Sequence, residues 1–270
     1  MRRPNAFTLI ELLVVVAVVG ILSSLLLPSL ARSKSQAQGA GCQNNTRQLA
    51  LACLMYCDDN SGRFPYNLAA NNVYTNANWA EGLLNWDTNA DNTNTQYLTG
   101  AALGPYAAQS ADIFRCPADT VVSGIQRGAG WSGRVRSYSM NASIGDAGDI
   151  TASGVNTNNP SYVQFFKYPA VPRPVQIFLF LDEHPDTIYD GYFVNQAYAR
   201  EWQRLPASYH DLSANLSFAD GHAELHRWQN SWTTPPSVPD GASDVVQTPL
   251  PSNQQTDFKW LISRMSVKSN

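Results

Sequence analysis

Charge is scarce in this sequence, and no run of one sign is long. Asp, Glu, Lys and Arg make up 14% of the 270 residues and the formal net charge is -3, against roughly 25% charged residues in ordinary soluble domains. Without a Lys/Arg-rich stretch the chain has no electrostatic footprint for nucleic acid, and that class of partner is excluded. A Walker loop, an HExxH pair, a dinucleotide-type Gly-rich turn and a Ser nucleophile elbow are also missing. Catalysis therefore has no support, and a non-enzyme without a resident cofactor is expected. The four cysteines, Cys42, Cys53, Cys57 and Cys116, include no CxxC pair with metal spacing.

What is plentiful is uncharged. The hydrophobic content is 44%, enough for a real core, and Asn, Ser, Thr, Tyr and Trp suit an exported polar surface. In an oxidising compartment one disulfide is reasonable. Cys42, Cys53 and Cys57 fall on the helix described below, so a long-range bridge from Cys116 runs to one of them. A Cys53–Cys57 bond within a continuous helix has poor Cβ geometry. Four buried free thiols are the alternative.

From Phe7 to Leu27 the chain reads FTLIELLVVVAVVGILSSLLL, about 21 residues or ~31 Å of helix, which crosses a ~30 Å hydrocarbon core. Arg2 and Arg3 precede it, which keeps the amino end cytoplasmic and puts the remainder outside. The run is too long for a cleaved secretory signal, and Leu30-Ala31-Arg32-Ser33-Lys34 is a poor site for such a cut. Glu11 is out of place in a plain anchor, because an acid in hydrocarbon costs ~2.5–3.5 kcal/mol even on the lenient insertion scale. It needs a partner.

Ala6-Phe7-Thr8-Leu9-Ile10-Glu11-Leu12 resembles the signal of type IV prepilins and type II secretion pseudopilins. The resemblance implies a structural subunit of a type IV pilus-like filament or secretion pseudopilus, anchored as a single-pass protein of the inner membrane. It implies cleavage between Ala6 and Phe7 by a prepilin peptidase that also methylates Phe7. Ala6 stands where the family usually has Gly, which bears on the rate of cutting. Glu11 takes the position whose carboxylate pairs with the terminal ammonium of a neighbouring like subunit, and Pro28 matches the proline at which pilin helices bend. The implied layout is a leader at 1–6, a membrane and filament-core helix at 7–30, an amphipathic extension at 31–60 and a periplasmic or extracellular head at 61–270.

In the extension, Leu49, Ala52, Cys53 and Tyr56 recur at i, i+3, i+4 and i+7, so one face should pack on the head. Gly39 and Gly41 weaken its middle, and Asp58-Asp59-Asn60-Ser61-Gly62 reads as a stop. Residues 66–100, rich in Asn and Thr with Trp79 and Trp86 interspersed, predict an exposed loop with aromatic anchors. Strands are predicted at 137–141, at 175–181 and at 215–228. The last is a hairpin turning at Asp220-Gly221 in a tight type I′ turn, with Leu216, Phe218, Ala223 and Leu225 on its apolar face. The expected fold is α+β and pilin-like, one long helix packed on an antiparallel sheet with long loops.

The head also resembles large prepilin-like proteins that carry an H-X9-DG signature. Here it is His210, nine intervening residues, then Asp220-Gly221, accompanied by Phe114-Arg115-Cys116-Pro117-Ala118-Asp119, by Val135-Arg136-Ser137-Tyr138-Ser139-Met140-Asn141 and by Leu181-Asp182-Glu183-His184-Pro185-Asp186. The resemblance assigns His210 no role. Because His222, Glu224 and His226 alternate, they share one strand face and, with His210, Asp220 or His184, compose a candidate zinc or calcium site. The simpler reading makes that face the solvated side of the hairpin. A membrane-tethered binding or hydrolytic head is the alternative function.

Overall fold

The computed structural model describes residues 8–69, 75–239, 241 and 243–269; the expected cleavage site between Ala6 and Phe7 lies outside them. The dominant element is α1, Leu9–Asp59, 51 residues long and about 77 Å from end to end. Its start is fixed by a capping box. Thr8 N–H and Oγ1–H both donate to Glu11 Oε2, at 2.8 and 2.7 Å, and Glu11 N–H donates back to Thr8 Oγ1 at 3.3 Å. Its end is fixed by Gly62, whose φ of +76° admits the reversal and whose N–H reaches the Cys57 carbonyl at 2.8 Å. Between these ends the helix runs unbroken through Pro28, Gly39 and Gly41.

The two halves of α1 meet different surroundings. Leu9 through Leu30 project large apolar side chains that nothing in the fold covers. From Gly39 onward, Cys42, Thr46, Leu49, Ala50, Ala52, Cys53 and Cys57 are buried, a helical stripe that includes the predicted Leu49, Ala52 and Cys53; Tyr56 is half-buried. This stripe lies on a five-stranded sheet of order β3-β1-β2-β4-β5, formed by Tyr138–Asn141 (β1), Phe178–Asp182 (β2), Tyr192–Phe193 (β3), Ser213–Phe218 (β4) and Ala223–Arg227 (β5). Four strands are antiparallel, as expected. The edge strand β3 runs parallel to β1, so the sheet is mixed.

Both faces of the sheet are covered, which explains why β2 reads as a nearly continuous apolar run. On the helix side, Tyr138, Met140, Leu179 and Phe180 pack with the α1 stripe, Trp79 and Phe114. On the far side, Phe178, Leu181, Leu216 and Phe218 pack with Trp202, Trp228, Phe258 and Leu261, the last two from a C-terminal helix, Thr256–Ile262. Leu179 and Phe180 are neighbours in sequence yet face the same core because the β2–β4 register shifts between Phe178 and Phe180.

Two predictions are corrected. The hairpin is not closed by a two-residue type I′ turn, which needs positive φ at both central positions. Only Gly221 has it, at +89°; Gly221 N–H donates to Phe218 O, Phe218 N–H donates to His222 O, and the loop holds three residues. The extra residue moves the register by one and turns every β5 side chain over. Leu216 therefore sits opposite Glu224 and Ala214 opposite His226, while Ala223 pairs with Ser217 and Leu225 with Asn215. Leu225 is exposed. Among the described residues of 66–100 the chain is mostly irregular, with short helical turns at Ala90–Asn92 and Gln96–Thr99, but it is not an exposed loop throughout: Trp79 is fully buried, stacked 6.2 Å from Phe114 and tilted 5.0 Å from Phe180. The Asn92 side chain stitches the run by donating to Asn85 Oδ1 and to the Asp87 and Asn89 carbonyls.

Candidate metal centre

Four segments far apart in sequence meet where α1 crosses the sheet. Cys42 comes from the buried stripe of α1, Cys116 from the turn after Phe114, Asp182 from the last residue of β2 and His210 from the loop entering β4. Their side chains offer two sulfurs, a carboxylate oxygen and an imidazole nitrogen, all within 4.8 Å of one another. The Cys42 thiol donates to Asp182 Oδ1 at 3.2 Å and Oδ2 at 3.1 Å. Cys116 Sγ lies 3.2 Å from His210 Nε2, and that nitrogen is 4.0 Å from Asp182 Oδ2. The most exposed of the four, His210, shows 3% of its surface.

An outer ring holds these groups in place. Tyr138 Oη is 3.1 Å from Cys42 Sγ, and Asn215 N–H donates to Asp182 Oδ2 at 3.1 Å. Asn215 Nδ2 donates in turn to the Gly39 carbonyl at 3.4 Å, tying β4 to the helix. The His210 ring faces Gly39, where even an added Cβ would lie 3.6 Å from it. Its Nδ1 finds no hydrogen-bond partner among the described residues.

Burial sets the electrostatics. It raises the Asp182 carboxyl to about 7, against the hydrogen bonds from Cys42 and Asn215 that favour its charged form. Burial also pushes the Cys42 thiol well up and the Cys116 thiol up, and it lowers His210. Every group in the cluster is thus biased toward its neutral form.

The sequence had brought other residues together. Of His210, Asp220, His222, Glu224 and His226, only His210 enters the cluster. His222 stacks on Phe218 at 4.4 Å and bonds Asp220 next to it in the turn. His226 stacks on Trp260 at 3.5 Å, and Glu224 shares that face opposite Leu216. His184 is elsewhere, its Nε2 3.1 Å from the Pro235 carbonyl. All four cysteines are free thiols; of the three helix cysteines considered as partners for Cys116, the structure brings Cys42 to it. Missed in the sequence were Cys42 and Asp182 as members of one set with Cys116 and His210. A signal was there: Cys116, Tyr138 and Asp182 each sit inside one of the three fragments that accompany the H-X9-DG signature.

The spacing between His210 and Asp220-Gly221 has a geometric counterpart. His210 rests on α1 at Gly39, and Gly221 rests on it one side chain from Leu51 and Leu54, whose methyls would be 3.3 and 3.4 Å from a Cβ. Both ends of the motif grip the same helix, with β4 between them.

Residues 1–27 match the prokaryotic N-terminal methylation motif. No curated protein and no solved structure matches the chain.

Proposed function

We propose that this chain, which begins with a prepilin-type methylation motif, is a structural subunit of the pilin or pseudopilin kind. It is cut between Ala6 and Phe7 by a prepilin peptidase, methylated on Phe7, and held in the inner membrane by α1 with its head outside. It then assembles with like subunits, helix against helix, into a type IV pilus-like filament or secretion pseudopilus. The observation that carries this reading is the division of α1: one continuous helix, methylation motif at its start, apolar and uncovered through Leu30, then packed into a head from Gly39. A helix built this way has an apolar half that only lipid or other copies can cover.

Glu11 needs a finer test than the sequence suggested, because it has a partner in its own chain. The Thr8 capping box occupies its Oε2 without supplying a positive charge. Glu11→Gln keeps a capping residue at that position and removes only the charge. The expected result is normal insertion and cleavage with filament yield reduced at least about tenfold, since the lost pairing is of the order of the ~2.5–3.5 kcal/mol that a lone acid costs in lipid. Wild-type yield would leave Glu11 as a helix cap only.

A further inference from the structure

We propose that Cys42, Cys116, Asp182 and His210 form a tetrahedral site for a thiophilic divalent cation of the zinc class, which pins the second half of α1 to the head. This inference is independent of the filament reading. It begins from size. A zinc ion bound at ~2.3 Å to sulfur and ~2.0–2.2 Å to nitrogen and oxygen requires donor atoms roughly 3.3–3.8 Å apart. The contacts here are 3.1 and 3.2 Å for Cys42 to Asp182, 3.2 Å for Cys116 to His210 and 4.0 Å for His210 to Asp182. Shifts of a few tenths of an ångström bring these three pairs onto that tetrahedron, and the full set, all within 4.8 Å of one another, needs a closure of at most about 1 Å.

Donor chemistry selects the ion. Two sulfurs with one imidazole and one carboxylate are a borderline-soft set that suits zinc, whereas calcium takes six to eight oxygens and is unsuited here. With four protein donors filling the tetrahedron, the site is of the closed, structural type. Binding releases to solvent the two thiol protons, together with the Asp182 proton where that carboxyl is protonated, and gives a site with two thiolates, one carboxylate and a neutral imidazole. The outer ring is arranged for those anions: Tyr138 Oη points at Cys42 Sγ, and Asn215 N–H points at Asp182 Oδ2.

The alternative for the same atoms is a Cys42–Cys116 disulfide, and one experiment separates them. The full-length chain is purified in detergent, stripped with chelator under reductant and titrated with cobalt(II). The expected result is one equivalent bound, with thiolate-to-cobalt charge transfer and the intense visible bands of a tetrahedral ion, both erased by zinc. Asp182→Asn and Cys116→Ser should weaken cobalt binding by at least about tenfold, the effect that loss of even an outer-shell partner produces, while Cys57→Ser binds normally. Because a ligand variant can fail to fold, X-ray absorption of the wild-type zinc form serves as the second measurement, with two sulfur and two lighter scatterers expected. A Cys42–Cys116 linked peptide in freshly purified protein, a reduced chain without cobalt bands, or a scatterer count other than two sulfurs would each overturn the proposal.

Discussion

His226 shows how one register step changes what a residue does. On the predicted hairpin it would face water; in the structure it lies flat on Trp260 and edge-on to Trp228 at 4.7 Å. Burial lowers its imidazole to about 4, with Asp257 nearby opposing that shift and Arg264 adding to it. A depressed folded value means that stability is intact above the ordinary histidine range and is lost as pH falls toward 4. His226→Phe keeps a ring on Trp260 and removes the proton site. Its melting temperature should therefore fall less than that of the wild type between pH 6.5 and pH 4; parallel curves would show that another group controls the acid limb. The sequence disclosed that His222, Glu224 and His226 share a face. It could not disclose which face, because that depends on one residue of turn length, and Asp-Gly is compatible with either hairpin. The metal cluster was hidden for a different reason. Its four donors are dispersed over the chain from Cys42 to His210, so no local spacing exists to be recognised, and only the crossing of α1 over β2 and β4 assembles them.

At the level of elements, the β4–β5 turn is fitted to α1 as well as to its own strands. Gly221 combines a φ of +89° with close approach to Leu51 and Leu54, so a side chain there is penalised twice. Gly221→Ala should lower stability by about 1–3 kcal/mol, the range for a non-glycine residue held in a sparsely populated backbone region, as read by denaturant midpoint. Asp220→Ala removes a side chain that, among the described residues, bonds only His222 two positions on, and it should cost less. Equal effects would mean that the turn, and not its contact with the helix, sets the requirement. The long helix itself was legible from its apolar run, its amphipathic stripe and its glycine stop. β2 was legible too, as a run buried on both faces, whereas the two-residue parallel edge β3 is too short to leave a pattern.

For the whole molecule, the division of α1 predicts separable behaviour. Every large apolar side chain of the first half is exposed through Leu30, and among the described residues burial begins at Gly39. A chain starting at Ser35 should thus keep the α1 stripe, the sheet and the cluster while losing the surface that demands lipid or other subunits. Monomeric elution without detergent, with a far-ultraviolet spectrum showing helix and sheet, is the expected outcome. Aggregation of that piece would mean that the head needs more of α1 than its burial pattern indicates.

The same packing sets a timetable for synthesis. The second half of α1 leaves the ribosome early, yet its covering arrives late: Cys42 meets Asp182 across 140 positions of chain, and Gln43 donates to the Ala223 carbonyl across 180. At ~5–20 residues per second that interval is about 10–40 s. During it a helix segment carrying two glycines and three cysteines stands uncovered beside the membrane, open to oxidation and to capture by whatever binds exposed helices.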